Sequence, residues 1–169
     1  GLLRALLGSA TVEEIYQTRD EFNSRLTGEA AREMRHRIED LQGGRLRGLT
    51  IGTFHAICAQ ILRREADFTP LSTDYVIYDT PDQLALVKLA VADLNMDDKR
   101  FPPSRMHNMI SRAKNELIEP EYYRSERYFA EAAGRVYERY MELLVANNAV
   151  DFDDLLMRTA LLLAENEEV

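Results

Sequence analysis

A single cysteine, Cys58, leaves the chain unable to form an internal disulfide or a thiolate-rich zinc site, so a reducing, cytoplasmic compartment is expected and structural metal is not. No apolar run reaches the roughly 18 residues needed to cross a bilayer. The leading cluster Leu2, Leu3, Leu6 and Leu7 is cut by Arg4 and lacks the basic n-region and small-residue cleavage site of a secretory signal. Neither membrane insertion nor secretion is expected. Lysine is scarce as well. Lys88, Lys99 and Lys114 each follow a residue other than glycine, so the G-x-x-x-x-G-K-[ST] loop that cradles nucleotide phosphates is absent, and no cofactor is expected in this chain. No apolar strand ends in Asp-Glu to hold magnesium, because Asp20-Glu21 follows the polar Gln17, Thr18 and Arg19. His36, His55 and His107 fall outside any H-E-x-x-H frame, and there is no Gly-x-Ser-x-Gly elbow. No catalytic residue and no metal ligand is assigned. Asp151, Asp153 and Asp154 are hard oxygen donors that suit a divalent ion, but acids in a first helical turn are also what the helix dipole favours.

What the chain does have is enough apolar residue for one core, 46% of 169 positions, and 30% charged residues to cover it. The net charge of −8 disfavours nucleic acid on average. The distribution is uneven: residues 31–64 sum to +4 and residues 99–114 to +5, within acidic flanks of −2, −7 and −8. Of the 21 basic residues 18 are arginine, the side chain that forms forked bonds to phosphate and carboxylate. Those arginines either meet phosphate or pair with the surplus acids on helix surfaces.

Helical periodicity dominates, and the fold class expected is mainly α, a bundle-like arrangement of at least six helices with one or two short strands. Thr11 and Glu14 form a capping box for a helix over about 12–26, and a second amphipathic run carries Ala30, Ala31, Met34, Ile38 and Leu41 until Gly43-Gly44. Leu49 to Phe54 reads as a strand, with Thr53 capping a helix to about Arg64. Tyr75 to Tyr78 reads as a second extended piece. Thr80 is then expected to cap a helix with Pro81 first and Gln83 closing the box. Pro102-Pro103 mark a break, and Ser104 starts or nearly starts a helix. The stripe Phe129, Ala132, Ala133, Val136, Tyr137, Tyr140, Leu143 and Leu144 marks a core helix, stopped by Asn147-Asn148. Asp151 caps the last.

Five strings occur in order: Thr27-Gly28-Glu29-Ala30-Ala31-Arg32-Glu33-Met34, Ile51-Gly52-Thr53-Phe54-His55-Ala56, Tyr78-Asp79-Thr80-Pro81-Asp82-Gln83-Leu84, Ala113-Lys114-Asn115-Glu116-Leu117, and Asp151-Phe152-Asp153-Asp154-Leu155-Leu156. Together they resemble the UvrD, Rep and PcrA family of superfamily 1 DNA helicases, over residues 27–169. The resemblance implies a fragment of a 3′-to-5′ ATP-dependent helicase that contributes single-stranded or junction DNA contacts but no ATP hydrolysis by itself. Residues 27–64 would be a remnant of the first RecA-like lobe, 65–148 its helical insertion, and 149–169 the return toward the lobe. ATP and Mg²⁺ are implied for the parent enzyme, with DNA and the remaining helicase lobes as partners. Residues 1–26 match nothing in the family, where a strand, the phosphate loop and a helix precede. The family pattern T-F-T-N-K is replaced by Arg25-Leu26-Thr27-Gly28-Glu29, which removes its aromatic and its lysine.

The residues expected to touch nucleic acid are Thr27, Thr53, Phe54, His55, Arg112 and Lys114. Thr53 to His55 place a hydroxyl, an aromatic ring and backbone donors at a helix start, where phosphate and a base face can meet them. Phe54 is either such a stacking ring or a core residue. Arg112 and Lys114 are either phosphate contacts or members of a solvated helix face. The alternative function is a helical protein interaction module that uses the acidic surface of residues 115–169. A dimer or domain swap is a further expectation, because an open strand edge at Leu49 to Thr53 would be a pairing template.

Overall fold

The computed structural model describes residues 28–42, 52–123 and 128–166. The helix expected over 12–26, Thr27, and the strand from Leu49 to Ile51 lie outside the described residues. So does the strand edge invoked for a dimer, apart from Gly52, which bends, and Thr53, whose extended backbone caps a helix rather than ending a strand.

Among the described residues there are six α-helices: α1 (Gly28–Gln42), α2 (Phe54–Arg64), α3 (Thr80–Asp93), α4 (Pro103–Asn115), α5 (Tyr128–Ala146) and α6 (Phe152–Glu165). Strands β1 (Val76–Tyr78) and β2 (Ala149–Asp151) form a parallel pair in the register Val76 to Ala149, Ile77 to Val150 and Tyr78 to Asp151. The mainly α class expected from periodicity is the one observed.

Capping explains several boundaries. The Thr53 hydroxyl accepts a hydrogen bond from the Ala56 amide at 3.3 Å, satisfying one of the donors that a helix start leaves over. At α3 the cap is Asp79, whose carboxylate accepts from the Asp82 amide at 3.1 Å, and Thr80 is the first helical residue. Both residue types cap well, and the carboxylate one position earlier takes the role. Gln83 closes no box. Its Nε2 donates to the Tyr78 carbonyl at 2.9 Å and its Oε1 meets His107 Nε2 at 2.7 Å, which ties α3 to α4.

β2 decides how the layers join. Alternate side chains of a strand point to opposite faces. Ala149 packs into a core built by α3, α4 and α5, with Val87, Ala90, Met106, Ile110, Val136, Tyr140 and Leu144 among its members. Val150 packs instead with Leu62, Leu71, Tyr75, Leu155 and Leu162, between α2 and α6. Asp151, next along, returns to the face of Ala149. Asn148 sets the strand's start: its backbone is left-handed at φ 46°, its carbonyl accepts from the Val76 amide, and its Oδ1 accepts from the Ser72 amide at 3.0 Å. Within α5, Gly134 sits at a close approach, since a Cβ there would lie 3.1 Å from the Tyr123 ring and 3.3 Å from its carbonyl oxygen, tighter than an ordinary contact.

Candidate nucleic-acid interface

Thr53, Phe54 and His55 share the first turn of α2. Phe54 and His55 are half-buried. The imidazole of His55 meets the phenyl ring of Phe152, the first residue of α6, with centroids 5.6 Å apart and planes at 86°. This is the edge-to-face arrangement that aromatic quadrupoles favour. The starts of α2 and α6 are therefore linked through one aromatic pair.

Arg112 and Lys114 sit on α4 two positions apart, which in an α-helix turns their side chains roughly 200° from one another. Arg112 is 82% exposed and its Nε donates to Glu116 at 2.9 Å, one turn on. Lys114 is different. Both readings of it from sequence, phosphate contact and solvated face, need an ammonium in water, and the structure corrects them: its side chain is 0% exposed. Its Nζ donates to Asp151 Oδ2 at 2.6 Å, lies 2.9 Å from Asp154 Oδ1, and stands 4.9 Å from the centroid of the Tyr140 ring. A buried charge persists only when paired, and the two carboxylates at the start of α6 supply the pairing.

Those carboxylates also hold each other. The Asp154 amide donates to Asp151 Oδ1 at 2.7 Å, and the Asp151 amide to Asp154 Oδ2 at 3.3 Å, a reciprocal capping box. The Tyr140 hydroxyl donates to Asp151 Oδ2 at 2.8 Å. Arg158 Nε lies 3.6 Å from Asp154 Oδ1, an ion pair longer than a hydrogen bond. Asp153 faces α4, accepting from the Ser111 hydroxyl at 2.6 Å and from Asn115 Nδ2 at 3.2 Å. One face of α4, Ser111, Lys114 and Asn115, thus grips the first turn of α6.

The titration behaviour follows. Burial opposes the Asp151 charge, yet the Lys114 ammonium and the hydrogen bonds from Lys114, the Asp154 amide and Tyr140 hold its carboxyl below the usual range. Burial and the Asp151 charge push Asp154 up, against Lys114 and Arg158. Burial works against the ammonium of Lys114, but the two carboxylates outweigh it and raise its pKa. Burial and the same carboxylates raise the Tyr140 hydroxyl, which stays a donor.

Asp151 accepts from Lys114 and Tyr140 and Asp153 from Ser111 and Asn115, while Asp154 Oδ1 lies 2.9 Å from the Lys114 ammonium. Among the described residues no group of three or more His, Cys, Asp and Glu side chains is arranged to hold a metal ion. Nor is any described helix long and apolar enough to cross a membrane.

Sequence reasoning gives Phe152 and Arg158 no individual role and reads Tyr140 only as a member of the core stripe. For Phe152 the signal was present, an aromatic set between acids in a first helical turn. Tyr140 and Arg158 join the network from positions whose proximity only the fold creates.

The family model of the UvrD/REP helicase N-terminal domain matches residues 24–169. The ATP-dependent DNA helicase PcrA of Bacillus subtilis (strain 168) is 39% identical over 145 residues, which are 85% of this chain and 20% of that protein. The protein of the same name from Staphylococcus aureus (strain Mu50) is 37% identical over 145 residues, with the same two shares. That of Staphylococcus epidermidis (strain RP62A) is 38% identical over 135 residues, 79% of this chain and 18% of the relative. The chain spans about a fifth of the length of the curated relatives it matches.

Proposed function

The chain belongs to the UvrD/REP helicase N-terminal domain family, and from that membership we propose that it is a segment of a 3′-to-5′ ATP-dependent DNA helicase that contacts single-stranded DNA. In this reading residues 27–64 are part of the first RecA-like lobe, 65–148 its helical insertion, and 149–169 the return segment. The division of the core supports it, because α3, α4 and α5 enclose one apolar cluster while α2 and α6 enclose another. ATP and Mg²⁺ serve the whole enzyme and are held by other parts of it, since this sequence has no phosphate loop and its acidic turn is internally paired. The remaining helicase lobes are its partners.

The observation that carries the reading is the start of α2. There Thr53, Phe54 and His55 offer a hydroxyl, an aromatic ring and an imidazole at the positive end of a helix dipole, beside the ring of Phe152. Arg112, exposed on α4, adds a phosphate contact. Lys114 contributes by position: it fixes α4 to the turn that carries Phe152.

The test is a titration of a labelled oligonucleotide at low and high salt. Phosphate contacts release counterions, so affinity should fall with salt, and at physiological salt it should be weaker than about 10 μM, since ordinary non-specific affinity lies near 10⁻⁴ to 10⁻⁶ M. Absence of binding at low salt would contradict the reading. So would tight, salt-insensitive binding of a protein at the start of α2, which is the behaviour of an interaction module.

A further inference from the structure

We propose that the hollow between the α3–α4 loop and α5 is a docking site for an acidic, apolar segment of a partner protein. It lies on a surface that the DNA reading does not use.

The hollow has a volume of about 390 Å³, and Leu94, Met96, Arg100, Phe101, Ala132 and Arg135 are among the residues that line it. Its walls are fixed. Asn95 takes a left-handed backbone at φ 53°, and the Met96 amide donates back to the Val91 carbonyl at 3.1 Å, which ends α3 and turns the chain into the loop. The Asp97 carbonyl then accepts from the Phe101 amide at 2.8 Å. Phe101 is buried, with its ring 5.5 Å from that of Phe129, and the Arg105 guanidinium lies 4.1 Å from the Phe129 centroid. A concave site that is formed before its ligand arrives loses little freedom on binding.

Charge selects the occupant. Arg139, one turn further along α5, is held by Asp93 and Glu142, whereas Arg135 forms no ion pair among the described residues. Its guanidinium fork is open to an incoming carboxylate. Glu131, one turn before it, competes only as an exposed pair at helix spacing, which contributes little in water. Half-buried Leu94 and Met96, beside Phe101 and Ala132, offer the apolar contact, and a methionine adapts its shape to what it meets. Asp97 and Glu131 also line the hollow. They oppose a phosphate backbone, which brings no cation to meet them, whereas a polypeptide brings amide donors along with its carboxylates.

The test follows amide chemical shifts of the chain with two tetrapeptide probes, acetyl-Glu-Leu-Phe-Glu-amide and acetyl-Lys-Leu-Phe-Lys-amide. The acidic probe should shift the amides of residues 94–101 and 131–135, saturating in the millimolar range that so few contacts support, and the basic probe should not. Arg135→Ala should weaken the acidic probe about fivefold or more, the loss that marks a residue that matters to an interface. Arg139→Ala, which removes an arginine already paired, should leave that affinity unchanged. Equal shifts from both probes, no shift from either at about 10 mM, or an Arg135→Ala chain that binds as the parent does would overturn the inference. So would shifts of the same amides by a DNA duplex and not by the acidic probe, which would make the hollow a nucleic-acid contact. The DNA reading is measured at the start of α2, so it stands or falls separately.

Discussion

The Lys114 ammonium and the Asp151 carboxylate, 37 positions apart in sequence, meet at 2.6 Å with the lysine side chain wholly enclosed. The pair joins α4 to the junction of β2 and α6, so a residue that looks like a surface cation from its neighbours is a structural bolt. Removing one partner of a buried pair leaves the other charged and unpaired, which is costlier than losing the attraction itself. Lys114→Met should therefore destabilise the chain by about 3 to 5 kcal/mol. Chemical denaturation of the two proteins measures it.

Acid should act through Asp151. Its folded pKa lies below the unfolded value, so its contribution is present above the ordinary carboxylate pKa of about 3.9 and is lost as pH falls through the lower folded value. Asp154 has the opposite sign: its folded pKa is raised, so the folded chain takes up this proton first and gains stability as pH falls through that raised value toward about 3.9. Stability should hold under mildly acid conditions and drop under strongly acid ones. Lys114, raised above its unfolded value, keeps its contribution through moderately alkaline pH and loses it only as pH climbs through the folded pKa. Asp151→Asn should make the acid limb shallower in a pH series of urea melts, and an unchanged limb would contradict the assignment.

Much of this architecture was legible from the sequence, and the illegible parts share a cause. The stripe from Ala132 to Leu144 is buried as its spacing requires, and Thr53 and Asp151 cap the helices expected of them. Periodicity and caps are local, and the local rules suffice for them. β2 is only three residues long and its pairing with β1 is remote, so Ala149-Val150 carries too little local signal to be read as a strand. Lys114 was misread for the same reason. Its partners lie across a fold that its neighbours do not encode, and Arg112 two residues away is indeed exposed. For the proposed interface, the capped first turn of α2 was readable as a motif. The arrival of Phe152 at His55 depends on how α2 and α6 pack.

Thr53→Ala should cost about 0.5 to 2 kcal/mol through loss of the hydrogen bond to the Ala56 amide. It should also weaken oligonucleotide binding, because the cap orders the turn that carries Phe54 and His55. Thr53→Ser retains the hydroxyl and should restore both properties. A Thr53→Ser chain that regains stability but not affinity would show that the threonine methyl, rather than the cap, matters to binding.

Arg112→Ala should leave the melting temperature essentially unchanged, since the Glu116 pair is exposed and screened. The slope of log affinity against log salt should fall by about one, the signature of one lost phosphate contact. An unchanged slope would remove Arg112 from the interface.

The most direct measurement of the central claim is amide chemical-shift mapping of the chain during titration with oligothymidylate at low salt. The account predicts perturbations at Thr53 to Ala56, at Phe152 and around Arg112, with the amides that line the Lys114 network shifting little. Perturbations confined to the acidic surface of α5, or none anywhere along the chain while oligonucleotide is in excess, would contradict it.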